Sequence, residues 1–422
     1  MKLVCPAAVL ALWCFSTLAC APKGQRAADD NTKPRKILLT VLAGQSTSDV
    51  GIEEMINDLL RSRLPDVELE WERMDWGERF HAQMQAKLAS GEIPDIIVGK
   101  AQDVATYVPT GNLGPTPTSL VQYISPVALP AVTVKARVYG LPYNAFYQGV
   151  FYNKDIFDRY GLPTPTTQSQ LSSLILKFAT VHVTPFAAHF EEDWYVGNIV
   201  MQFAVGDVFS REPDWGDRFR GRKASFADSA PFRRVFSYVK KIRDQSWPDA
   251  LSIGQSECDE RFAKGEAAMY VTGSWTLQTI NAVNPHMHVG IFPFPNQTGN
   301  AKLIFEPNMT FMKSSKSEHP DAVDKVLQAI FESKDLASQI FDYTKTSSML
   351  KNIDPDIPLL IQPDIDGYLR MGQITDVTVG NTQLIWSFQE EVAARLQDWL
   401  RNKASLQSVL EYADQNRSLS AP

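Results

Sequence analysis

The sequence predicts an α/β protein built from two domains, and three observations lead to this prediction. The chain has 422 residues, which is too long for one ordinary core and suggests two domains of roughly 150 to 200 residues each. It is 44% hydrophobic and 21% charged, a composition typical of folded globular proteins. Short apolar runs alternate with segments of helical periodicity from residue 36 onward.

The N-terminus has the organisation of a secretory leader. Lys2 is followed by an uncharged stretch over residues 4–19 that is short for a membrane span. We therefore interpret residues 1–19 as a signal peptide. TLAC, which ends at Cys20, resembles a bacterial lipobox, with Thr17 where leucine is usual, and a lipobox implies lipidation of Cys20. The alternative is a plain signal peptide with an incidental cysteine.

The residues that follow Cys20 predict a polar tether over positions 20–34. The formal net charge is −7 and no long basic block is present, which argues against a nucleic-acid partner. Beyond the leader only Cys20 and Cys258 remain, so no disulfide framework is expected unless these two cysteines meet. Stability is then expected to come from a large core.

The first part of the chain predicts three strands and two helices in alternation. Residues 36–44 and 94–99 read as buried strands, and 67–71 alternates as a strand does. Apolar residues recur at helical spacing over 52–60, and again from Phe80 to a stop at Gly91. Such alternation predicts parallel pairing with right-handed crossovers, and ligands bind outside the carboxyl ends of such strands.

The remainder of the chain predicts a second domain reached by crossings of the chain. Pro142 and Gly149 interrupt an aromatic-rich segment, and we place the first crossing near residues 142–147. The middle third reads as mostly helical, and residues 289–316 read as strand-like and are interpreted as a return crossing. The last stretch predicts helices, with an apolar stripe from Ile385 to Leu400.

Four motifs taken in order resemble one family, the extracellular solute-binding proteins of bacterial ABC importers, in the sugar- and oligosaccharide-binding group (family 1). These motifs are the lipobox, PDIIVG after a helix ending in SGE, LPYNAFYQGVFYNKDIFDRYGLPTPTT, and FAKGEAAMYVTGSW. The resemblance implies the two-lobed periplasmic-binding-protein-like fold of type II, in which each lobe is a mostly parallel sheet flanked by helices. The ligand is held in the cleft between the lobes.

The resemblance also implies how the chain is divided and what it works with. We expect an N-terminal lobe of residues 35–143 plus 300–345 and a C-terminal lobe of 144–299 plus 346–422. A carbohydrate ligand, a membrane permease of the ABC type and a lipid anchor on the extracellular face of the cytoplasmic membrane are the expected partners. No cofactor, metal or enzymatic activity is expected, and the protein is taken as a monomer.

Trp275 is the leading candidate for ligand binding, since a flat indole offers an apolar face to the C–H side of a pyranose. Gly273 is expected to let the backbone approach the ligand. The resemblance carries further ligand contacts onto positions in the motifs and at strand ends: Trp194, Tyr195, Tyr147, Gln45, Ser46, Gln102, Asp103, Glu306, Asn308 and Trp386. Packing roles are the alternative for the aromatic residues.

Two other classes of protein stay open at this point. Carboxylates at residues 191–193, Asp364 and Asp366 raise the possibility of a secreted glycoside hydrolase, although that reaction needs two carboxyl groups facing each other across a bond. A surface adaptor with the same fold is the other.

Two segments depart from the family pattern. IFEPNMTF stands where relatives commonly have a glycine-rich turn, and GKAQD lacks the tryptophan of some oligosaccharide binders. The sequence therefore does not specify the identity and length of the sugar.

Overall fold

A computed structural model describes residues 36–44, 50–74, 80–351, 360–380, 384, 388 and 391–415. The elements of the first half are β1 (Ile37–Gly44), α1 (Val50–Arg63), β2 (Val67–Met74), α2 (Phe80–Ser90), β3 (Ile96–Gly99), α3 (Val104–Tyr107), α4 (Thr118–Val121), β4 (Thr133–Val134), β5 (Arg137–Val138), β6 (Leu141–Asn153), α5 (Lys154–Arg159), α6 (Gln168–Thr180) and β7 (Thr184–Ala187).

The elements of the second half begin with a helix on which part of the site is built. They are α7 (Asp193–Phe203), α8 (Trp215–Arg220), α9 (Ala230–Asp244), α10 (Gln255–Ala263), β8 (Ala267–Gly273), α11 (Leu277–Val283), β9 (Val289–Phe292), β10 (Leu303–Lys313), α12 (Pro320–Glu332), α13 (Lys334–Thr344), β11 (Ser347–Ser348), α14 (Gln362–Arg370), β12 (Ile374–Asp376), α15 (Ala393–Leu400) and α16 (Leu406–Gln415). A π-helical turn, Ala204–Phe209, continues α7.

The predicted alternation at the start of the chain is confirmed. β1 pairs in parallel with both β2 and β3, as strands joined by helical crossovers do. The apolar stripe of α1 is buried at Ile52, Ile56 and Leu60. Gly91 follows the end of α2 with a φ of +79°, a left-handed conformation that glycine adopts without the penalty that a Cβ would impose.

Within the described residues, one sheet of ten strands organises the chain. Its order is β2-β1-β3-β10-β6-β8-β7, with β9 and β11 on β6 and β12 on β10. β10 runs antiparallel to both β3 and β6, and β6 runs antiparallel to β8 and β9. The sheet is therefore mixed: the outer strand pairs β1–β2, β1–β3 and β7–β8 are parallel, and the long central strands are antiparallel.

The long strand β6 is the main departure from the predicted elements. Pro142 and Gly149 were expected to interrupt it, yet one strand runs from Leu141 to Asn153. Its first part pairs with β10, and from Gln148 onward it pairs with β8. A Cβ on Gly149 would lie 2.8 Å from the Phe292 carbonyl oxygen, so this glycine meets a packing need within the strand and does not end it.

The helices predicted in the middle and last parts of the chain are confirmed where the structure describes them. The predicted apolar stripe is buried at Phe388, Val392, Leu396 and Leu400, of which the last two lie in α15, while Ile385 lies outside the described residues. A large hydrophobic core runs through the sheet and the helices on it. In the described ranges no helix is both long and apolar enough to span a bilayer.

Candidate functional site

Trp275 lies directly beyond the end of β8, in a short 3₁₀ turn over Ser274–Thr276. Its indole folds back over the glycine that precedes the turn, since a Cβ added to Gly273 would lie 2.1 Å from Trp275 Cζ3. Gly273 itself has an extended φ of −124°. The expected role of this glycine is therefore wrong: it makes room for the indole, which covers the backbone that was expected to meet the ligand.

Three half-buried aromatic side chains come together at this point, and we call them the aromatic wall: Phe146, Trp194 and Trp275. The ring centroids of Phe146 and Trp275 are 5.5 Å apart at 86°, and those of Trp194 and Trp275 are 6.3 Å apart at 66°. Trp275 Nε1 is buried and has no hydrogen-bond partner among the described residues. The wall combines partly exposed ring surface with a buried donor that has no partner in the described part of the chain.

The first turn of α7 carries Trp194, and buried groups beneath it fix its position. Tyr195 is fully buried, its hydroxyl donates to the Val271 carbonyl at 2.9 Å, and its ring stacks on His189 at 3.8 Å. A ring with no exposed surface and a hydroxyl already bonded has nothing to offer a ligand in this conformation. The structure thus contradicts the expected ligand contact of Tyr195, which supports the wall from behind.

His189 ties the start of α7 to a second helix. A ring nitrogen of His189 shares a hydrogen bond with the Glu192 carboxylate, which also accepts from the backbone N–H of Gln255 at 3.0 Å. Burial lowers the pKa of His189, against the opposing effect of Glu192. The imidazole is therefore neutral at physiological pH and serves as a fixed support.

Asp259 lies in the same buried layer and makes the stability of the folded protein depend on pH. Burial raises the pKa of Asp259 to about 8, against the lowering effect of hydrogen bonds from Tyr270 and Gln255. An unfolded aspartate loses its proton near pH 3.9. The folded state therefore holds a proton that the unfolded state has lost, and stability falls as pH rises from about 4 to about 8.

We accordingly expect Asp259→Asn to flatten the dependence of stability on pH. The free energy of unfolding of the wild type should fall by on the order of 1–3 kcal/mol between pH 5 and pH 8, at no more than about 1.4 kcal/mol per pH unit for one group. Urea unfolding at the two pH values measures it. Asp342→Asn, at an exposed aspartate, is the control and should keep the wild-type slope; an unchanged slope in Asp259→Asn would contradict the assignment.

The strand register places a set of polar side chains beside the aromatic wall. Glu306 of β10 lies opposite Phe146, and Asn308 lies opposite Asn144; Gln148 lies opposite Gly273. Directly opposed residues project from the same face of a sheet. We call Asn144, Gln148, Glu306 and Asn308 the polar floor.

Glu306 is the electrostatic centre of the polar floor. Lys100 Nζ lies 3.2 Å from Glu306 Oε1, with the glutamate side chain 3% exposed, and the Gln148 side-chain amide donates to the other oxygen. Because Lys100 follows the end of β3, this pair joins two neighbouring strands. The pair leaves the floor without net charge at this point.

Side-chain amides in and beside the polar floor have hydrogen-bonding capacity that the described residues do not use. Both polar atoms of the Gln102 side chain, and the Oδ1 atoms of Asn144 and Asn308, are buried without hydrogen-bond partners within the described ranges. Gln102 and Asp103, both buried, lie in a 3₁₀ turn that packs against β10. Uncharged amides with free capacity suit an uncharged ligand rich in hydroxyl groups.

Tyr147 lies on the other face of β6, contrary to the expectation that it contacts a ligand. Side chains alternate along a strand, so Phe146 faces Glu306 while Tyr147 packs against Phe305 with ring centroids 5.6 Å apart. Burial raises the pKa of Tyr147 to about 12. Its side chain is a core residue behind the floor.

Four of the predicted positions lie outside the described residues. They are Gln45, Ser46, Trp386 and the lipidation candidate Cys20. Of the other candidates, the structure brings together Trp275, Trp194, Glu306 and Asn308, with Gln102 and Asp103 in the turn packed on β10.

Asn144 and Gln148 were not predicted from the sequence, although the signal for them was present. Reading residues 141–153 as one strand would have grouped Asn144, Phe146 and Gln148 on one face by simple alternation. Pro142 and Gly149 concealed that pattern because both usually weaken a strand.

Three of the carboxylates that raised the hydrolase possibility, Glu192, Asp364 and Asp366, are engaged in other contacts. Glu192 is bonded to His189 and Gln255. Asp364 pairs with Lys154 at 3.0 Å, and Asp366 accepts from the Gln362 side chain at 2.8 Å. None of these contacts sets one carboxyl group facing another.

Gly273→Ala tests the packing of the indole on the end of β8. The added Cβ must displace the ring, so we expect a changed near-ultraviolet circular dichroism spectrum and a loss of about 1–3 kcal/mol in stability. Gly367→Ala is the matched control, because a Cβ there meets nothing within 4 Å. A wild-type spectrum and stability for Gly273→Ala would show that the indole lies elsewhere.

A half-buried aromatic wall beside a polar floor without net charge has the kind of lining found in sites for small polar ligands. Residues 43–336 match the model of the bacterial extracellular solute-binding proteins, and the chain belongs to that family. Its two-lobed α/β fold is shared with solved sugar-binding proteins, as the Bacillus licheniformis structure below illustrates.

Two sequence relatives and one solved structure illustrate the similarity. An uncharacterized ABC transporter extracellular-binding protein of Pyrococcus horikoshii is 27% identical over 60% of this chain and 58% of its own length, so the chain spans less than two thirds of that relative. The multiple sugar-binding protein of Streptococcus mutans is 21% identical over 79% of this chain and 80% of its own. A sugar transporter of Bacillus licheniformis, solved with stachyose, has a TM-score of 0.77 at 15% identity and covers 91% of this chain and 100% of its own.

Proposed function

We propose that this protein is an extracellular substrate-binding lipoprotein that captures a sugar or oligosaccharide and delivers it to the permease of an ABC transporter. The aromatic wall beside the polar floor is the observation that carries this proposal. Indole and phenyl faces pack on the C–H face of a sugar ring, while amides bond the hydroxyls at its edge. Relatives whose names state sugar binding support the same class of ligand.

Capture is proposed to occur by closure of the two lobes, residues 35–143 plus 300–345 and residues 144–299 plus 346–422. The change of pairing partner along β6, from β10 to β8 at Gln148, supports a crossing within this strand. Hinge closure around a ligand is a common transition in periplasmic binding proteins. The protein is proposed to act as a monomer, since one chain holds both faces of the cleft.

The proposed contact residues are those of the aromatic wall and the polar floor, with Gln102 and Asp103 at the end of β3. Gln45, Ser46 and Trp386 remain proposed contacts on the basis of family resemblance. Family membership supports a binding protein without enzymatic activity. A ligand bound in such a site is therefore expected to be released unchanged.

A carbohydrate panel tests the proposal. Raffinose, stachyose, maltotriose and chitotriose are added to the purified chain, and the melting temperature, the binding stoichiometry by calorimetry and the sugar products by chromatography are measured. A rise in melting temperature with one intact sugar per chain supports the proposal. Products that accumulate with time indicate a glycoside hydrolase. An absence of any sugar binding, together with binding to a surface protein, indicates an adaptor.

The proposed lipid anchor has a separate test. Cys20→Ser removes the thiol that would be acylated, and a chain without acyl groups loses the hydrophobic anchoring that they supply. We expect this variant to move from the membrane fraction to the medium and to lose incorporation of labelled palmitate. Retention of the variant in the membrane fraction would reject the proposed anchor. The proposed sugar site does not depend on this result.

A further inference from the structure

A small polar recess lies next to the site, beyond Gln148. It is lined by Gln148, Gln202, Asp207, Tyr238, Phe294 and Asn296, among others. The recess has room for about one water-sized group. Polar groups surround it together with aromatic rings, so its occupant must form hydrogen bonds.

The recess and the aromatic wall share one face of α7. Trp194, Asn198 and Gln202 are spaced by four residues, so they lie above one another along the helix. The Gln202 side-chain amide donates to Asn198 Oδ1 at 2.6 Å. On the sheet side, Gln148 faces the recess and also donates to Glu306 of the polar floor. The recess is thus a lateral continuation of the site, with the same helix and the same strand as its walls.

Two acceptor oxygens in the recess have no partner within the described chain. Gln202 is 6% exposed and its Oε1 is unbonded; Asp207 is 5% exposed and its Oδ2 is unbonded. Asp207 Oδ1 already binds the Arg211 guanidinium and accepts from the Asn296 amide at 3.0 Å. The charge of Asp207 is therefore compensated, and its Oδ2 remains an acceptor for a neutral donor. A buried acceptor without a donor costs about 1–3 kcal/mol.

We propose that this recess is a subsite for one hydroxyl group of the bound ligand, namely the hydroxyl of the exocyclic hydroxymethyl group of a hexopyranose ring. This proposal rests on the proposed function. Ring hydroxyls are attached directly to the ring, whereas the hydroxymethyl oxygen projects one carbon farther, as entry into a narrow recess requires. A pentopyranose has no such group, so the subsite favours hexose units over pentose units.

Matched sugar pairs that differ only in hydroxymethyl groups test the proposal. The pairs are D-glucose with D-xylose, D-galactose with L-arabinose, and cellotriose with xylotriose, measured by calorimetry on the full chain. We expect the hexose member of the pair that binds to have a Kd about tenfold lower, which is the effect of one buried hydrogen bond. The variant Gln202→Met keeps the length of the side chain and should reduce this preference below about twofold.

Gln122→Met, at an exposed glutamine, is the control and should keep the full preference. Urea unfolding confirms that Gln202→Met is folded, and crystals of the wild type with and without sugar add a second measurement. A water bound to Gln202 and Asp207 should be replaced by the sugar hydroxyl. If sugars bind but hexose and pentose are equal, or if the water stays in the complex, the subsite is rejected and the proposed function stands. If no sugar in the pairs or the panel binds, both are rejected.

Discussion

Replacing Trp275 with alanine is expected to weaken sugar binding by at least about 30-fold, which corresponds to about 2 kcal/mol. The indole packs over Gly273 and against Phe146 and Trp194, so its removal deletes the ring surface that would face the sugar and opens the aromatic wall. Its buried Nε1–H, which has no partner within the described residues, is lost as a donor at the same time. Calorimetric titration with the sugar identified by the panel gives the change in Kd.

Trp71→Ala is the matched control for this experiment. Trp71 is a partly buried tryptophan on β2 whose indole N–H donates to Asn57 at 3.1 Å, and β2 lies at the outer end of the sheet. The control variant should lose stability and keep its sugar affinity. A Trp275→Ala variant that binds with a wild-type Kd would show that the aromatic wall does not bind the sugar and would contradict the proposed function.

Glu306→Gln is expected to destabilise the folded protein by about 3 kcal/mol, because it leaves the Lys100 ammonium beside a neutral side chain in a largely buried position. The Glu306 side chain is 3% exposed and that of Lys100 is 18% exposed. The shape of residue 306 is kept, so the loss reports the charge. The midpoint of urea unfolding and its slope give the free energy of unfolding.

The double variant Lys100→Met/Glu306→Gln should recover most of this loss, since it removes the ammonium together with the carboxylate. Glu260→Gln acts on an exposed pair with Lys264 at 3.3 Å and should change stability by less than about 1 kcal/mol. Equal stabilities for Glu306→Gln and the wild type would contradict the assignment of Lys100 and Glu306 as a buried ion pair that sets the charge of the floor.

The fold was largely predictable because the segments from residue 36 to 99 have strong and distinct periodicities. Burial of Ile52, Ile56 and Leu60 on one side of α1 is what a period of 3.6 residues dictates. The antiparallel pairing of β10 with β6 was not predictable in this way. It joins residues more than 150 positions apart, and no local pattern specifies the partner of a strand.

The site was predictable in part, for a similar reason. Trp275 was predicted from a motif, and Trp194, Glu306 and Asn308 from their positions in the family pattern; the structure places the four near one another. Tyr147 and Tyr195 were misassigned because a motif gives the position of an aromatic residue and not the face from which it projects. For Tyr147 the alternation of β6 decides the face, and for Tyr195 the helical turn that begins at Asp193 decides it.

The unbroken course of β6 has a mechanical consequence. Asn144, Phe146 and Gln148 all project from this strand, on the segment where its pairing passes from β10 to β8. Any twist of that backbone reorients all of these side chains together. Under the proposed closure of the lobes, affinity and opening rate would share one torsional coordinate, and substitutions in β6 made to retune selectivity are expected to alter the kinetics of release as well.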